Sequence, residues 1–322
     1  PTGIDKEGRD RTAVCCLSSL NLETYDEWKD DNNFIPDIMR MLDNVLTDFI
    51  EKAPESFSDA TYSALKERSV GLGVMGLHSY FQQKKIPFES VMSKVWNKKI
   101  FSNIQKQVDQ ASKDLAEERG PCPDAADYGI NERFSNKTAI APTASISIIC
   151  GGTSPGIEPI AANSYTHKTL SGSFNVRNKY LAEVLEQHGK NDEETWSSIT
   201  TNQGSVSHLD FLSQDEKDVF KTAFELDQRW IVDLGADRTP HISQAQSINI
   251  FIPADIHKKD LHQIHFQAWK KGLKSLYYCR SKSIQRAENI NDAKSTDIMA
   301  NVYKNKSTKT EEPEYEECLS CQ

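Results

Sequence analysis

Two short apolar segments, Ser247 to Ile252 and Leu273 to Cys279, flank a helical stretch from Ala254 to about Lys271 that Gly272 closes. A strand, a helix and a second strand in immediate succession imply a parallel pair joined by a right-handed crossover. That one unit predicts an α/β chain, because a parallel sheet needs helices packed on it.

The rest of the chain supplies such elements. Ala13 to Leu22 reads as a strand with Val14, Leu17, Leu20 and Leu22 around Cys15 and Cys16. From Ile35 the residues Ile38, Met41, Leu42, Val45, Leu46 and Phe49 recur at helical steps, with Pro36 suited to the first turn. Phe88 to Arg119 repeats the pattern through Trp96, Ile104 and Leu115, and Gly120-Pro121 stops it. Thr138 to Cys150 is small and β-branched and runs into Gly151-Gly152, which predicts a strand and a functional turn. Ser213 and Glu216 have capping-box spacing before a periodic run from Val219 to Ile231, which predicts one helix closing near Gly235. After about Ser281 the chain is polar and charged and cannot offset its ordering entropy, so residues 1–280 are expected to form one folded unit and 281–322 a flexible tail.

A length of 322 residues permits a sizeable core, and a net charge of -9 argues against general affinity for nucleic acid phosphates. No run of roughly 18 apolar residues is present and Pro1 to Thr12 lacks the apolar core of a signal peptide, so a cytoplasmic protein without a membrane partner is expected. The chain starts at Pro1 in a polar stretch close to a buried-looking strand and reads as a piece of a longer protein. Seven cysteines over this length do not look like a secreted disulfide framework; reduced, active thiols fit better.

Four constellations could carry chemistry. Cys318 and Cys321 stand close enough to form a small disulfide ring at the tip of an arm that could exchange with a buried disulfide. Half of a zinc site and a terminus without a role are the alternatives. In Cys15-Cys16, strand alternation sends the side chains to opposite faces, so at most one enters a given cavity; either could be only a small buried hydrophobe. Ala141-Pro142-Thr143-Ala144-Ser145-Ile146-Ser147 offers hydroxyls and backbone N–H groups to a phosphate, or is simply a hydroxyl-rich strand end. Tyr277-Tyr278 closes a predicted buried strand, where adjacent tyrosines are usually packing residues. Two signals are set aside. Gly71-Leu72-Gly73-Val74-Met75-Gly76 spells a dinucleotide motif but follows a helix pattern, so close helix packing is the expected use of its glycines. His262 and His265, with His257 nearby, lack an evident carboxylate or cysteine partner, which predicts a surface or interface helix rather than a metal site.

Taken in order, AVCCLSSLNL, RSVGLGVMGL, APTASISIICGGTSPGIEP, KSLYY and the terminal CLSCQ resemble the large catalytic subunit of class I ribonucleotide reductase, over essentially the whole chain. The resemblance implies the second half of a ten-stranded α/β barrel, a five-stranded parallel half-barrel with surrounding helices, plus the flexible C-terminal tail. It implies that Cys15 forms a disulfide with a thiol from an N-terminal half as the substrate 2′-hydroxyl is lost. Pro142, Thr143, Ala144, Ser145 and Ile146 would hold the diphosphate of a ribonucleoside diphosphate. Tyr277 and Tyr278 would relay a radical from the small subunit, and Cys318 and Cys321 would re-reduce the site and be renewed by thioredoxin or glutaredoxin. No cofactor is expected on this piece, since the metal cofactor of the small subunit supplies the radical. The family's asparagine, radical cysteine and glutamate lie just before the segment equivalent to Pro1-Thr2, so the piece alone is expected to be inactive without an N-terminal half. Two alternatives remain at this point. One is a piece of a cobalamin-dependent class II reductase, which has no need of the tyrosine relay. The other is a non-catalytic module that binds the small subunit or blocks it.

Overall fold

Small and branched residues draw five stretches of chain into parallel register in the computed structural model, which describes residues 3–169 and 172–281. The chain enters through a short antiparallel pair, β1 (Gly3–Ile4) and β2 (Asp10–Arg11). Next come β3 (Leu17–Asn21), a single turn α1 (Tyr25–Trp28) and the amphipathic α2 (Phe34–Lys52). Then α3 (Ser58–Glu67) leads into β4 (Gly71–Met75), α4 (Leu77–Gln83), the long α5 (Val91–Arg119) and a turn of helix, α6 (Pro123–Ala126). One more turn, α7 (Ile146–Ile149), precedes the antiparallel hairpin of β5 (Ser164–Thr169) and β6 (Gly172–Arg177). The remaining elements are α8 (Lys179–Gln187), α9 (Glu193–Thr201), α10 (Gln214–Val219), α11 (Gln228–Arg238), β7 (Ile250–Ile252), α12 (Lys258–Lys270) and β8 (Cys279–Ser281).

Parallel pairing runs from β3 to β4, with Leu17 opposite Gly71. It continues through single bridges from Leu72 to Thr138 and from Ile140 to Gln246, and ends in β7 with β8, Ile250 opposite Cys279. The five segments therefore lie side by side in sequence order, and the strand, helix, strand unit expected at 247–279 is parallel. One side of this array carries the core: Cys16, Leu20, Val70, Leu72, Ile140, Ile248 and Ile250 pack under α2, α5, α11 and α12. A second, smaller core joins α8, α9 and α10 through Leu181, Leu185, Trp196, Ile199, Val206 and Phe220.

Under the array, α2 buries a carboxylate. Asp43 is fully enclosed and receives Arg68 Nε at 2.7 Å, Arg119 Nη1 at 2.9 Å, and Arg133 Nε at 2.9 Å and Nη2 at 3.1 Å. Arg68 stands just past α3 in the left-handed region, φ 41°, where glycine is the usual helix terminator. A side chain is kept there because its guanidinium is needed on Asp43.

Several expectations are corrected. The glycines of Gly71–Gly76 do not pack helices: Gly71–Met75 is a fully buried strand. A Cβ on Gly71 would overlap Leu17 Cδ2 and meet Ala139 Cβ at 2.9 Å, and one on Gly73 would overlap the Ala139 carbonyl oxygen. The helix expected from Ser213 to Gly235 is two helices. The capping box of Ser213 and Glu216 starts α10, and a turn at 220–227, tied by the Ala223 N–H to Ile160 O, intervenes before Asp227 caps α11. Met41 and Val45 of α2 are about half exposed, since Met39, Leu42, Asp43 and Leu46 take the inward face. The helix expected from Ala254 starts at Lys258, because the His257 side chain caps it. The flexible tail expected at 281–322 lies outside the described residues apart from Ser281, which ends β8. Among the described residues no helix is long and apolar enough to cross a membrane.

Candidate active site

On β3 the alternation has a chemical consequence. Cys16 turns into the core, its sulfur 3.8 Å from Leu42 O of α2, and burial pushes its thiol pKa up. Cys15 turns the other way and is exposed. The strand itself starts only at Leu17, not at Ala13, yet the alternation already holds for the two cysteines because the Cys16 carbonyl accepts the Gly71 N–H at 2.9 Å. Cys15 faces an open cavity of about 480 Å³ on the side of the array away from the core, bordered by Leu17, Gly71, Ala139, Pro142 and Tyr277. Glycine at 71 keeps the floor of this cavity low beside Leu17.

The segment after Ile140 reaches the edge of that cavity and then turns. Only Thr138 and Ile140 make strand bridges, and the stretch expected to continue as a strand to Cys150 becomes the helical turn α7. Thr143 takes a left-handed conformation, φ 54°, and its hydroxyl accepts the Gly156 N–H at 2.7 Å, which clasps the two ends of the loop together. Thr143 is buried with that hydroxyl engaged, whereas Ser145 and Ile146 are exposed. Ala144 borders two further cavities, one toward Ser79 and Arg177 and one toward Glu158 and Arg280. The first turn of α7 has no preceding carbonyls of its own helix for its N–H groups.

Tyr277 and Tyr278 stand just before β8, not inside a buried strand, and both are part exposed, 40% and 49%. Their ring centroids are 4.1 Å apart at an interplanar angle of 53°. The backbone holds them in place: Tyr277 N–H donates to Ile248 O at 2.8 Å, Tyr278 N–H to Asn249 Oδ1 at 2.9 Å, and Tyr278 O accepts from Ile250 N–H at 2.9 Å. Tyr277 borders the same cavity as Cys15 and Pro142. The structure thus brings Cys15, Pro142 and Tyr277 to one surface, with Thr143–Ile146 continuing from Pro142 and the Tyr278 ring tilted against that of Tyr277. Cys318 and Cys321 lie outside the described residues.

Two polar residues of this region were not singled out from sequence. Glu158, buried between Pro155 and Pro159, accepts a hydrogen bond from Asn249 Nδ2, and Asn249 in turn holds Tyr278. The signal available was a lone carboxylate in an otherwise apolar, proline-bounded stretch, Pro155-Gly156-Ile157-Glu158-Pro159. Among the described residues no group of three or more His, Cys, Asp or Glu side chains could hold a metal ion. His262 and His265 are exposed on α12, as a surface helix requires.

The family described as ribonucleotide reductase, barrel domain, matches residues 4–128 and 125–279. The ribonucleoside-diphosphate reductase large subunit of Invertebrate iridescent virus 6 is 53% identical over 284 residues, 87% of this chain and 29% of that protein. The large subunit of Invertebrate iridescent virus 3 is 44% identical over 289 residues, 89% of this chain and 46% of that one. Among solved structures, the Actinobacillus ureae class Id ribonucleotide reductase alpha subunit superposes with a TM-score of 0.78 at 39% identity, covering 84% of this chain and 50% of that chain. The chain spans half or less of the length of these relatives.

Proposed function

The chain belongs to the ribonucleotide reductase barrel-domain family, and from that premise we propose that it is the second half of the catalytic barrel of a ribonucleoside-diphosphate reductase large subunit. The observation that carries this is the shared cavity. Cys15, Pro142 and Tyr277 border one surface; Cys16 also borders it, but its sulfur is turned into the core onto Leu42 O.

In this function the ribonucleoside diphosphate lies on that surface with its diphosphate at Pro142–Ile146, where Ser145 and the N–H groups around it meet the anion. A thiyl radical on the remainder of the subunit opens the reaction. As the 2′-hydroxyl leaves as water, Cys15 and a second thiol from that remainder each give up a hydrogen and join as a disulfide, the two electrons passing to the nucleotide. Tyr277 and Tyr278, in contact at 4.1 Å, pass the radical between the small subunit and the barrel; the metal cofactor of that small subunit generates it. Cys318 and Cys321 return the disulfide to thiols and are renewed by thioredoxin or glutaredoxin. The large-subunit names of the relatives favour this class I scheme over a cobalamin-dependent one.

The test is reconstitution. The chain alone, with an N-terminal half of a large subunit, and with that half plus the small subunit and thioredoxin, is assayed for deoxycytidine diphosphate formed from cytidine diphosphate. Product in the full mixture alone is expected, and Cys15→Ser or Tyr277→Phe should remove it; undiminished turnover by either variant would overturn the assignment.

A further inference from the structure

A cavity of about 460 Å³ opens at the carboxyl ends of β7 and β8, behind the loop that carries Pro142 and Ala144, and its titratable lining residues are Glu158 and Arg280. Glu158 is only 7% exposed. Its carboxylate accepts from Asn249 Nδ2, and Asn249, itself 1% exposed, accepts the Tyr278 N–H at 2.9 Å on its side-chain oxygen. The amide is too buried to find water on either side, so the setting of Glu158 passes through Asn249 to the backbone of Tyr278. Arg280 reaches the same tyrosine from the other direction, its Cζ 5.8 Å from the ring centroid.

We propose that Glu158 is a positioning residue for Tyr278, acting through Asn249 and Arg280, and that its ionisation makes the setting of the tyrosine ring respond to pH. A neutral side chain could satisfy Asn249 equally well; a buried carboxyl costs desolvation and is matched by a cation only across the cavity. Burial pushes the Glu158 carboxyl up to about 7, with Arg280 and the Asn249 hydrogen bond opposing the rise. Around neutrality it therefore exchanges between two states. Ionised, it strengthens the Asn249 hydrogen bond and draws the Arg280 guanidinium into the cavity; protonated, it releases that guanidinium to the face of Tyr278. The groups facing this exchange are Arg280 on β8, Asn249 beside β7, Phe251 on β7, Phe224, and Pro155 and Pro159 on either side of Glu158 itself.

The catalytic meaning rests on Tyr278 belonging to the oxidisable pair, so two readouts are kept apart. In the full chain, 4-fluorophenylalanine at position 278 removes the phenol's own titration, and its fluorine resonance is followed from about pH 6 to about pH 8. The resonance should move with a midpoint near neutrality, and should be flat in Glu158→Gln, which keeps an acceptor for Asn249. Glu158→Ala should be flat and displaced from the Gln variant at every pH, because Asn249 has lost its acceptor. A flat resonance in the unsubstituted chain, a titration that survives Glu158→Gln, or coincident Gln and Ala variants would each overturn the coupling. In the reconstituted enzyme Glu158→Gln should erase an inflection near neutrality from the pH dependence of turnover; a profile unchanged from the parent enzyme would overturn the positioning role. Full turnover by Tyr278→Phe would remove the relay itself, an outcome that the fluorine experiment cannot produce or mask.

Discussion

Replacing Asp43 by asparagine tests how the helical layer under the array is held. The carboxylate is fully enclosed and takes four charge-assisted hydrogen bonds from three arginines whose side chains are 6%, 28% and 12% exposed. Asparagine keeps the volume but turns one acceptor oxygen into a donor facing guanidinium donors, and leaves three cations around a neutral group. Breaking a buried ion pair from one side costs about 3–5 kcal/mol. At an m-value of about 3 kcal/mol/M the urea midpoint should fall by about 1–1.7 M, read by tryptophan fluorescence and by circular dichroism. The pH dependence follows from the same contacts. Burial alone would push the Asp43 carboxyl up, but the three guanidiniums outweigh it and hold it below its ordinary 3.8. Its contribution is therefore complete above that value and is lost as pH falls through the depressed one, so variant and parent should converge only in strong acid. The exposed pair of Lys52 and Asp48 at the end of α2 is the control: Asp48→Asn should leave the midpoint where it was, because solvent screens that contact. A midpoint for Asp43→Asn within about 0.2 M of the parent, well inside the shift expected from a broken buried pair, would refute this reasoning.

Alkylation by iodoacetamide, followed by mass spectrometry on Cys15→Ser and Cys16→Ser chains, should modify Cys15 at least about tenfold faster than Cys16, given the exposure of one and the burial of the other; equal rates would contradict the opposed facing. Gly73→Ala should cost about 1–3 kcal/mol or more by overpacking, because the new methyl meets the Ala139 carbonyl, a backbone atom already fixed in the array; an unchanged melting temperature would mean that the third segment can move away. Ser145→Glu in an assembled large subunit should weaken ribonucleoside diphosphate binding by about tenfold or more through charge repulsion, roughly 1.4 kcal/mol, and unchanged affinity in a calorimetric titration would count against the loop.

Much of the parallel array could be read from residue patterns, and the failures have physical causes. The unit around β7, α12 and β8 announced itself because β7 is short and apolar and Gly272 marks the helix end, although β8 falls on Cys279–Ser281, at the end of the apolar stretch from Leu273 that was expected to form it. β4 did not, since Gly71 and Gly73 give a strand no side chains on one face, and a glycine pattern says nothing about a neighbouring backbone passing within contact distance. The separation of α10 from α11 was hidden because Phe220, Ala223, Phe224 and Leu226 continue the apolar spacing while packing as a turn. The hairpin of β5 and β6 left no apolar alternation to read, since Tyr165, Thr166, Phe174 and Asn175 are exposed, and α8 and α9 were missed because each is only nine residues long and buries three side chains. That Cys15 and Cys16 face opposite ways was legible from alternation; which of the two meets the cavity came from the resemblance. The part played by Glu158 was not legible, because its importance lies in what Asn249 does with its amide oxygen while its amide nitrogen holds Glu158, a relation between residues 91 positions apart.

The α8–α10 module has its own small core and is spliced into the chain between the third and fourth parallel segments. It is tied back to the main body through Asn163, which donates to Gly204 O and Phe220 O at 2.9 and 2.7 Å, and through Asn178 to Gln82 at 2.9 Å. Cores of unequal size open with unequal free energies, so this module can breathe while the array stays closed. The loop from Pro142 to Ile160 spans the seam between the two bodies, and a ligand gripping that loop would slow amide exchange in a region it never touches.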